Sequence, residues 1–320
     1  MLPTLVLIVA VSIAMTPAHA RVGGFISGHY YLDPEFDAPN TSFGSDIDGD
    51  GRVDRIWCAE ACAVDLYNLG VAMGWWNGDP VTPLQYENSA TGEHDDDNLD
   101  IINAFQAIAS PDAISKVFEV TVVSLLSRPP AYHAVLVLGV VQQGSSRYFV
   151  VDDESTSSVG RLLLVPYDLF LSNLHPGILE FFGPVEVVNR LYSAISGAIS
   201  PLTVVVSSKL GRTLTVVLLT GLPDDSLVAF TEELWKAVLE GYPVAVTVSK
   251  PFMDLGGVTR ISYDEPVTGD VETRTPLNGV ESGEGPSPPI GIPVPFIGTV
   301  GIAGLFFLLL TFLGLSYLPI

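Results

Sequence analysis

The sequence predicts an α+β fold, in which helices come first and an antiparallel sheet follows. Apolar residues recur at helical spacing between residues 58 and 108. The segments between residues 117 and 165 are instead rich in Val, Leu and aromatic residues, and short polar turns separate them. Helices followed by a run of strands is the order typical of α+β domains. Residues 201–275 then alternate strand, helix and strand, which predicts a small α/β accessory domain.

The first predicted domain comprises residues 46–200 and follows an extended lead-in at residues 21–45, where Gly, Pro and Asn show no clear period. Its first helix is predicted over Cys58–Met73 and its second over Asn98–Ile108. A helical stretch at about residues 167–199 closes the domain. The strands predicted between these helices are Val117–Leu126, Tyr132–Val141, Tyr148–Val151 and Leu162–Val165.

The predicted accessory domain is built around one helix, Asp224–Glu240. Pro223 precedes this helix, and two aspartates place negative charge at its positive end. The segment contains no His or Cys, so we assign it no chemistry. Its predicted strands are Thr203–Ser207, Thr213–Leu219, Val244–Ser249 and Val258–Tyr263.

Both ends of the chain have the character of export and membrane segments. Residues 1–20 are uncharged and apolar and close on Ala18-His19-Ala20, which predicts a cleaved signal peptide. Residues 276–293 are a Pro, Gly and Ser linker. Val294–Leu318 is uncharged and long enough to cross the roughly 30 Å hydrocarbon core as a transmembrane helix. We therefore expect a cell-surface protein anchored in the membrane by its C-terminal helix.

The charge and the cysteine count exclude several classes of protein. The formal net charge of −22 argues against nucleic acid and anionic lipid surfaces as partners. Only two cysteines occur, Cys58 and Cys62, and four residues apart on one helix they are poorly aimed for a disulfide. We interpret Cys62 as a small core residue. A free Cys58 on an exported protein then calls for a chemical role.

The chain supplies a cysteine, a histidine and a carboxylate in an order that suits nucleophilic catalysis. Cys58 is expected in the first turn of its helix, where unsatisfied N–H groups and the helix dipole favour thiolate. His133 lies in a strand-like run, and the next strand ends in Asp152 and Asp153. An imidazole can take the thiol proton, and a carboxylate can orient the imidazole.

The residues around these three groups resemble one family of enzymes. Trp57-Cys58-Ala59-Glu60-Ala61-Cys62, the strand that begins Tyr132-His133-Ala134-Val135 and the strand Tyr148–Asp153 resemble the motifs of papain-like cysteine peptidases of family thirty-nine, which process bacteriocin leader peptides. The resemblance implies a papain-like peptidase domain that acts on a peptide or protein substrate. It implies Cys58 as nucleophile, His133 as base, and Asp153 as the orienting residue, with Asp152 as the alternative. Transglutaminase-like acyl transferases use the same order of residues.

The chain departs from this family at the oxyanion position. The family places a Gln about six residues before the nucleophile, where this chain has Arg52. Loss of one oxyanion donor costs on the order of a hundredfold in rate. A catalytically inactive cell-surface binding module with the same fold is therefore the alternative hypothesis.

A calcium-type loop precedes the predicted nucleophile helix. The acidic and Gly-rich segment at residues 46–54 matches the first nine positions of an EF-hand or dockerin loop, which predicts a structural calcium site. Trp57 stands at position 12, where a bidentate acid is expected, so weak affinity is predicted. No organic cofactor is expected. The predicted metal-site residues are Asp46, Asp48, Asp50, Arg52 and Asp54.

Overall fold

The computed structural model of the protein describes residues 22–26, 28–39, 46, 49, 51, 56–89, 101–124, 132–153, 162–174, 178–196, 204–207, 214–219 and 223–261. Its helices are α1 (Cys58–Ala72), α2 (Pro83–Ser89), α3 (Ile101–Ile108), α4 (Pro111–Lys116), α5 (Tyr167–Asn173), α6 (Val185–Ser196) and α7 (Asp224–Leu239), with a 3₁₀ turn at Phe252–Asp254. Its strands are β1 (Gly23–Ile26), β2 (His29–Leu32), β3 (Val117–Ser124), β4 (His133–Gln143), β5 (Ser146–Asp152), β6 (Leu162–Pro166), β7 (Ile178–Pro184), β8 (Val204–Ser207), β9 (Leu214–Leu219), β10 (Val244–Val248) and β11 (Thr259–Ile261).

The strands form one mostly antiparallel sheet, in the order β11-β6-β5-β4-β10-β7-β3-β9-β8. The pairing of β3 with β9 is parallel, and the other pairings are antiparallel. A hairpin of β1 and β2 joins the sheet where His29 lies opposite Gly139 of β4. The predicted α+β class with an antiparallel sheet is confirmed.

Helices cover both faces of the sheet, which explains why the central strand β4 is apolar from Ala134 to Val141. Ala134, Leu136 and Leu138 belong to the core beneath α1 and α3, whereas Val135 and Val137 belong to the core beneath α6 and α7. Successive residues of a strand point to opposite faces, so a strand covered on both sides has no polar positions. Helix α1, which begins at Cys58, packs directly against β4 and β10.

Strand β10 corrects the predicted domain organisation. The sequence predicts an accessory domain at residues 201–275, but β10 lies between β4 and β7 in the middle of the sheet. The described residues between 22 and 261 group as one compact unit. The prediction was wrong at this point because a short apolar strand does not reveal by itself which strands it will pair with.

The predicted helical stretch at residues 167–199 contains a strand. Helices α5 and α6 lie at its two ends, but β7 lies between them and pairs with both β3 and β10. Every residue of Ile178–Pro184 is buried. A short apolar run is ambiguous between a buried helix and a buried strand, and tertiary pairing decides here in favour of the strand.

The predicted extended lead-in contains the β1–β2 hairpin. It turns at Gly28, where φ is 100°, a value that favours glycine. The hairpin approaches β4 closely, because a Cβ atom on Gly139 would lie 2.5 Å from the carbonyl oxygen of Gly28. Within the described residues, no helix is both long and apolar enough to cross a membrane. The predicted signal peptide and the predicted span Val294–Leu318 lie outside those residues.

Candidate active site

Helix α1 begins at Cys58, and its first turn is fixed from two sides. Trp57 precedes the helix in an extended conformation, and its N–H donates to Glu60 Oε2 at 2.7 Å. The other oxygen of Glu60 accepts from the Tyr86 hydroxyl on α2 at 2.9 Å. A carboxylate at the third helical position satisfies a backbone donor and complements the helix dipole. The nucleophile candidate is therefore held at a rigid helix start.

His133 is the first residue of β4, and it lies beside the half-buried Cys58. Its side chain is buried, and on the neighbouring strand Val248 lies opposite it. A hydrogen bond joins the Cys58 thiol to the imidazole, and the N–H of Ala134 donates to Cys58 Sγ at 3.4 Å. The start of α1 and the start of β4 thus meet at the sulfur.

Asp153 follows β5 and holds the far side of the imidazole. Its Oδ1 lies 2.7 Å from His133 Nε2, and its Oδ2 accepts from the N–H of Met253 at 2.9 Å. An imidazole has two ring nitrogens. Since Nε2 is bound to Asp153, Nδ1 is the nitrogen left for the Cys58 thiol. Cys58, His133 and Asp153 are therefore brought together in hydrogen-bonded series.

The electrostatics of the pair favour its charged form. Burial alone would raise the pKa of Cys58, but the hydrogen bond and charge of His133, with the N–H groups of Ala134 and Ala59, outweigh it and lower that pKa below its ordinary value. Burial alone would lower the pKa of His133, but its bonds to Asp153 and Cys58 raise it well above its ordinary value. The geometry therefore favours a thiolate beside an imidazolium.

Asp152 points away from this series and belongs to a second group of carboxylates. Its ligand oxygen lies within 4.8 Å of those of Asp37 and Asp65, and all three side chains are buried. Asp65 Oδ1 also accepts from the N–H of Ala38 at 2.8 Å. Carboxylate oxygens are the ligands of hard divalent cations, so these residues could hold a metal ion. No local pattern in the sequence reveals this group, because its members are far apart in the chain.

The predicted calcium loop is described only at Asp46, Gly49 and Gly51. The N–H groups of Gly49 and Gly51 donate to the two oxygens of Asp46 at 2.6 and 2.9 Å. Both glycines have positive φ, of 77° and 85°. The chain therefore turns back on Asp46 at the first loop position. The other predicted ligands, Asp48, Asp50, Arg52 and Asp54, lie outside the described residues.

The first turn of α1 supplies backbone donors next to Cys58. The first N–H groups of an α-helix have no intrahelical acceptor. Ala59 N–H is directed to the Cys58 sulfur. Arg52, which stands in place of the family's Gln, lies outside the described residues.

Three groups that support this site were not predicted from the sequence. Glu60 stands at the third helical position, where an acid is favoured, but Trp57 at the N-cap does not complete the Ser/Thr-x-x-Glu pattern of a capping box. The hydroxyl of Tyr86 and the backbone N–H of Met253 carry no local signal, because each contacts the site from a distant part of the chain. Cys62, by contrast, is fully buried in α1, as a core residue should be.

Comparisons with protein-family models, with curated proteins and with solved structures found no match.

Proposed function

We propose that the protein is a papain-like cysteine peptidase, which hydrolyses peptide bonds with Cys58 as nucleophile, His133 as base and Asp153 as orienting residue. The observation that carries the proposal is the hydrogen-bonded series from the Cys58 thiol through His133 to Asp153. A nucleophile, a base and a third group that fixes the base is the arrangement that activates a thiol near neutral pH.

The proposed reaction begins with proton transfer from the Cys58 thiol to His133 Nδ1. The thiolate attacks the scissile carbonyl carbon, and the N–H of Cys58 stabilises the resulting oxyanion. As the C–N bond breaks, His133 returns its proton to the leaving amine, and a thioester remains on Cys58. His133 then takes a proton from water, whose oxygen attacks the thioester. The second tetrahedral species collapses to release the carboxylic acid, and Cys58 regains the proton.

Asp153 acts on His133 in both halves of this cycle. Its bond to Nε2 keeps the proton on that nitrogen and leaves Nδ1 to face the sulfur. It also stabilises the imidazolium that forms when the thiol is deprotonated. The burial of both side chains strengthens this bond, because water does not compete for the donors.

The experiment that tests the proposal is the pH dependence of Cys58 alkylation by iodoacetamide. We expect alkylation of Cys58 at pH 6 to be at least about tenfold faster than that of free cysteine, whose thiol is almost fully protonated there. In His133→Ala, the alkylation of Cys58 at pH 6 should be no faster than that of free cysteine. A wild-type Cys58 that reacts no faster than free cysteine at pH 6 would instead favour the inactive binding module.

Two further properties belong to the proposal. The apolar ends of the chain support a protein anchored at the cell surface by residues 294–318, with the peptidase domain outside. Release of the domain by mild protease treatment of intact cells, and not only after lysis, tests this orientation.

The turn around Asp46 supports a weak structural calcium site at residues 46–54.

A further inference from the structure

The backbone of one segment reaches the orienting carboxylate from the far end of the described chain. After β10 the chain continues through Ser249, Lys250 and Pro251 into the 3₁₀ turn at Phe252–Asp254. In that turn the N–H of Met253 donates to Asp153 Oδ2 at 2.9 Å. Asp153 is thus held by two donors, His133 on one oxygen and Met253 on the other. The direction of the carboxylate depends on where this turn lies.

Asn173, the last residue of α5, holds the segment that leads into the turn. Its carbonyl oxygen accepts from the N–H of Ser249 at 2.7 Å. Its side-chain Nδ2 donates to the carbonyl oxygen of Lys250, also at 2.7 Å. The next residue, Leu174, forms a β-bridge with Val248 at the end of β10. Asn173 is itself buried, and its bond to Lys250 is partly buried.

Helix α5 also contacts the turn through a pair of aromatic rings. The ring of Phe170 stacks on that of Phe252, with centroids 5.5 Å apart and planes 20° from parallel. Both rings are fully buried. Pro251 precedes Phe252 with φ at −52°, and its ring restricts the backbone there. Between the Asn173 bonds and the Phe170 contact, little freedom remains for the N–H of Met253.

We propose that Asn173 is a positioning residue for the peptidase reaction: by holding Ser249 and Lys250, it fixes the N–H of Met253 against Asp153 and thereby the imidazole of His133. The role rests on the proposed function. Asn173 does not touch the reacting atoms, and it acts through three hydrogen bonds in series. If the turn moves, Asp153 loses the hydrogen-bond donor of Met253, and the hydrogen bond between Asp153 and His133 weakens. The imidazolium then becomes less stable, and the Cys58 thiol ionises at a higher pH.

The test compares Asn173→Leu and Asn173→Asp with wild type by the pH midpoint of Cys58 alkylation. Leu removes the donor at similar volume, and Asp keeps the shape but cannot donate when ionised. We expect the midpoint to rise by about half to one pH unit, which is roughly a three- to tenfold slower alkylation at pH values below the midpoint. Hydrogen exchange of the Met253 amide should become faster in the same variants.

Thr231→Val is the matched control, because it removes another buried side-chain bond, from Thr231 Oγ1 to the Leu227 carbonyl in α7, without touching the 249–254 segment. It should lower the melting temperature and leave both the alkylation midpoint and Met253 exchange unchanged. If the Asn173 variants behave like this control while wild-type Cys58 reacts at low pH, Asn173 is only structural. An unreactive wild-type Cys58 would overturn the proposed function and the positioning role with it. If Asn173→Leu does not fold, Asn173→Asp decides.

Discussion

Desolvation acts against the charged forms of both Cys58 and His133, so the charged pair depends on the bonds that each residue makes. Burial would otherwise leave a protonated thiol and a neutral imidazole. The mutual hydrogen bond, the N–H of Ala134 and the carboxylate of Asp153 reverse that preference. At the scale of single residues, the reactivity of the sulfur is therefore a property of its immediate neighbours.

Two cysteines on one helix should respond differently to the same substitution. Cys58→Ala should abolish peptide hydrolysis with little change in stability, because this side chain is only half buried. Cys62→Ala should retain hydrolysis but lower the free energy of unfolding by about 1 kcal/mol, because it leaves a small cavity in the core. Hydrolysis of a peptide library, followed by mass spectrometry, and urea denaturation measure the two effects. Retained activity in Cys58→Ala would rule out this residue as the nucleophile.

At the scale of elements, the start of α1 is the point where several constraints meet. Glu60 ties the first turn to α2, and Ala134 of β4 reaches the sulfur at the same turn. The predicted calcium loop ends only four residues before Cys58 in the sequence. Ordering of that loop should therefore also order the first turn of α1, where Cys58 lies.

Calcium should both stabilise the protein and increase the rate of Cys58 alkylation. Without the ion, we expect the aspartates of residues 46–54 to repel one another, and negative charge that precedes Cys58 by only a few residues in the sequence should oppose its ionisation. With a dissociation constant of about 1 mM, 10 mM calcium would add about 1.4 kcal/mol to the free energy of unfolding. Thermal melts and Cys58 alkylation, measured during one calcium titration, follow both effects.

Asp46→Asn provides the control for this titration, since Asp46 is the first ligand position and organises the turn. The variant should need more calcium for the same rise in melting temperature. If melting and alkylation of the wild type both ignore calcium up to about 10 mM, well above the range of extracellular modules, the segment is only an acidic turn.

At the scale of the whole molecule, one sheet carries the site and the residues that support it. Strand β4 begins with His133, β5 leads to Asp153, and β10 leads to the turn that contains Met253. Because β10 lies between β4 and β7, the central part of the sheet is incomplete without the C-terminal residues of the unit. The residues that the sequence assigns to an accessory domain are thus needed by the site.

A chain of residues 21–200 should therefore fail to fold, whereas residues 21–281 should fold. The shorter chain lacks β10 and α7, which exposes the apolar edges of β4 and β7 and one face of the sheet. We expect it to aggregate or to show no cooperative unfolding in circular dichroism. A cooperative transition in residues 21–200, with Cys58 still reactive at pH 6, would restore the two-domain organisation.

The sequence by itself determined the local elements of this protein and the candidates for its chemistry. Helical spacing after Cys58 predicted α1, and apolar runs bounded by turns predicted β4 and β5, because these patterns follow the periods of helix and strand. The same patterns put Cys58 at a helix start and His133 in a strand. They also confined the orienting carboxylate to two adjacent residues.

Only the tertiary structure decided which of Asp152 and Asp153 faces His133, where β10 lies, and how Met253 and Asn173 support the site. Adjacent residues at a strand end differ in direction, and sequence patterns do not fix the end of a strand to one residue. Strand pairing and backbone donors leave no trace in the local sequence, because any residue except proline supplies the same N–H. Contacts between residues 100 positions apart follow from the packing of the whole sheet.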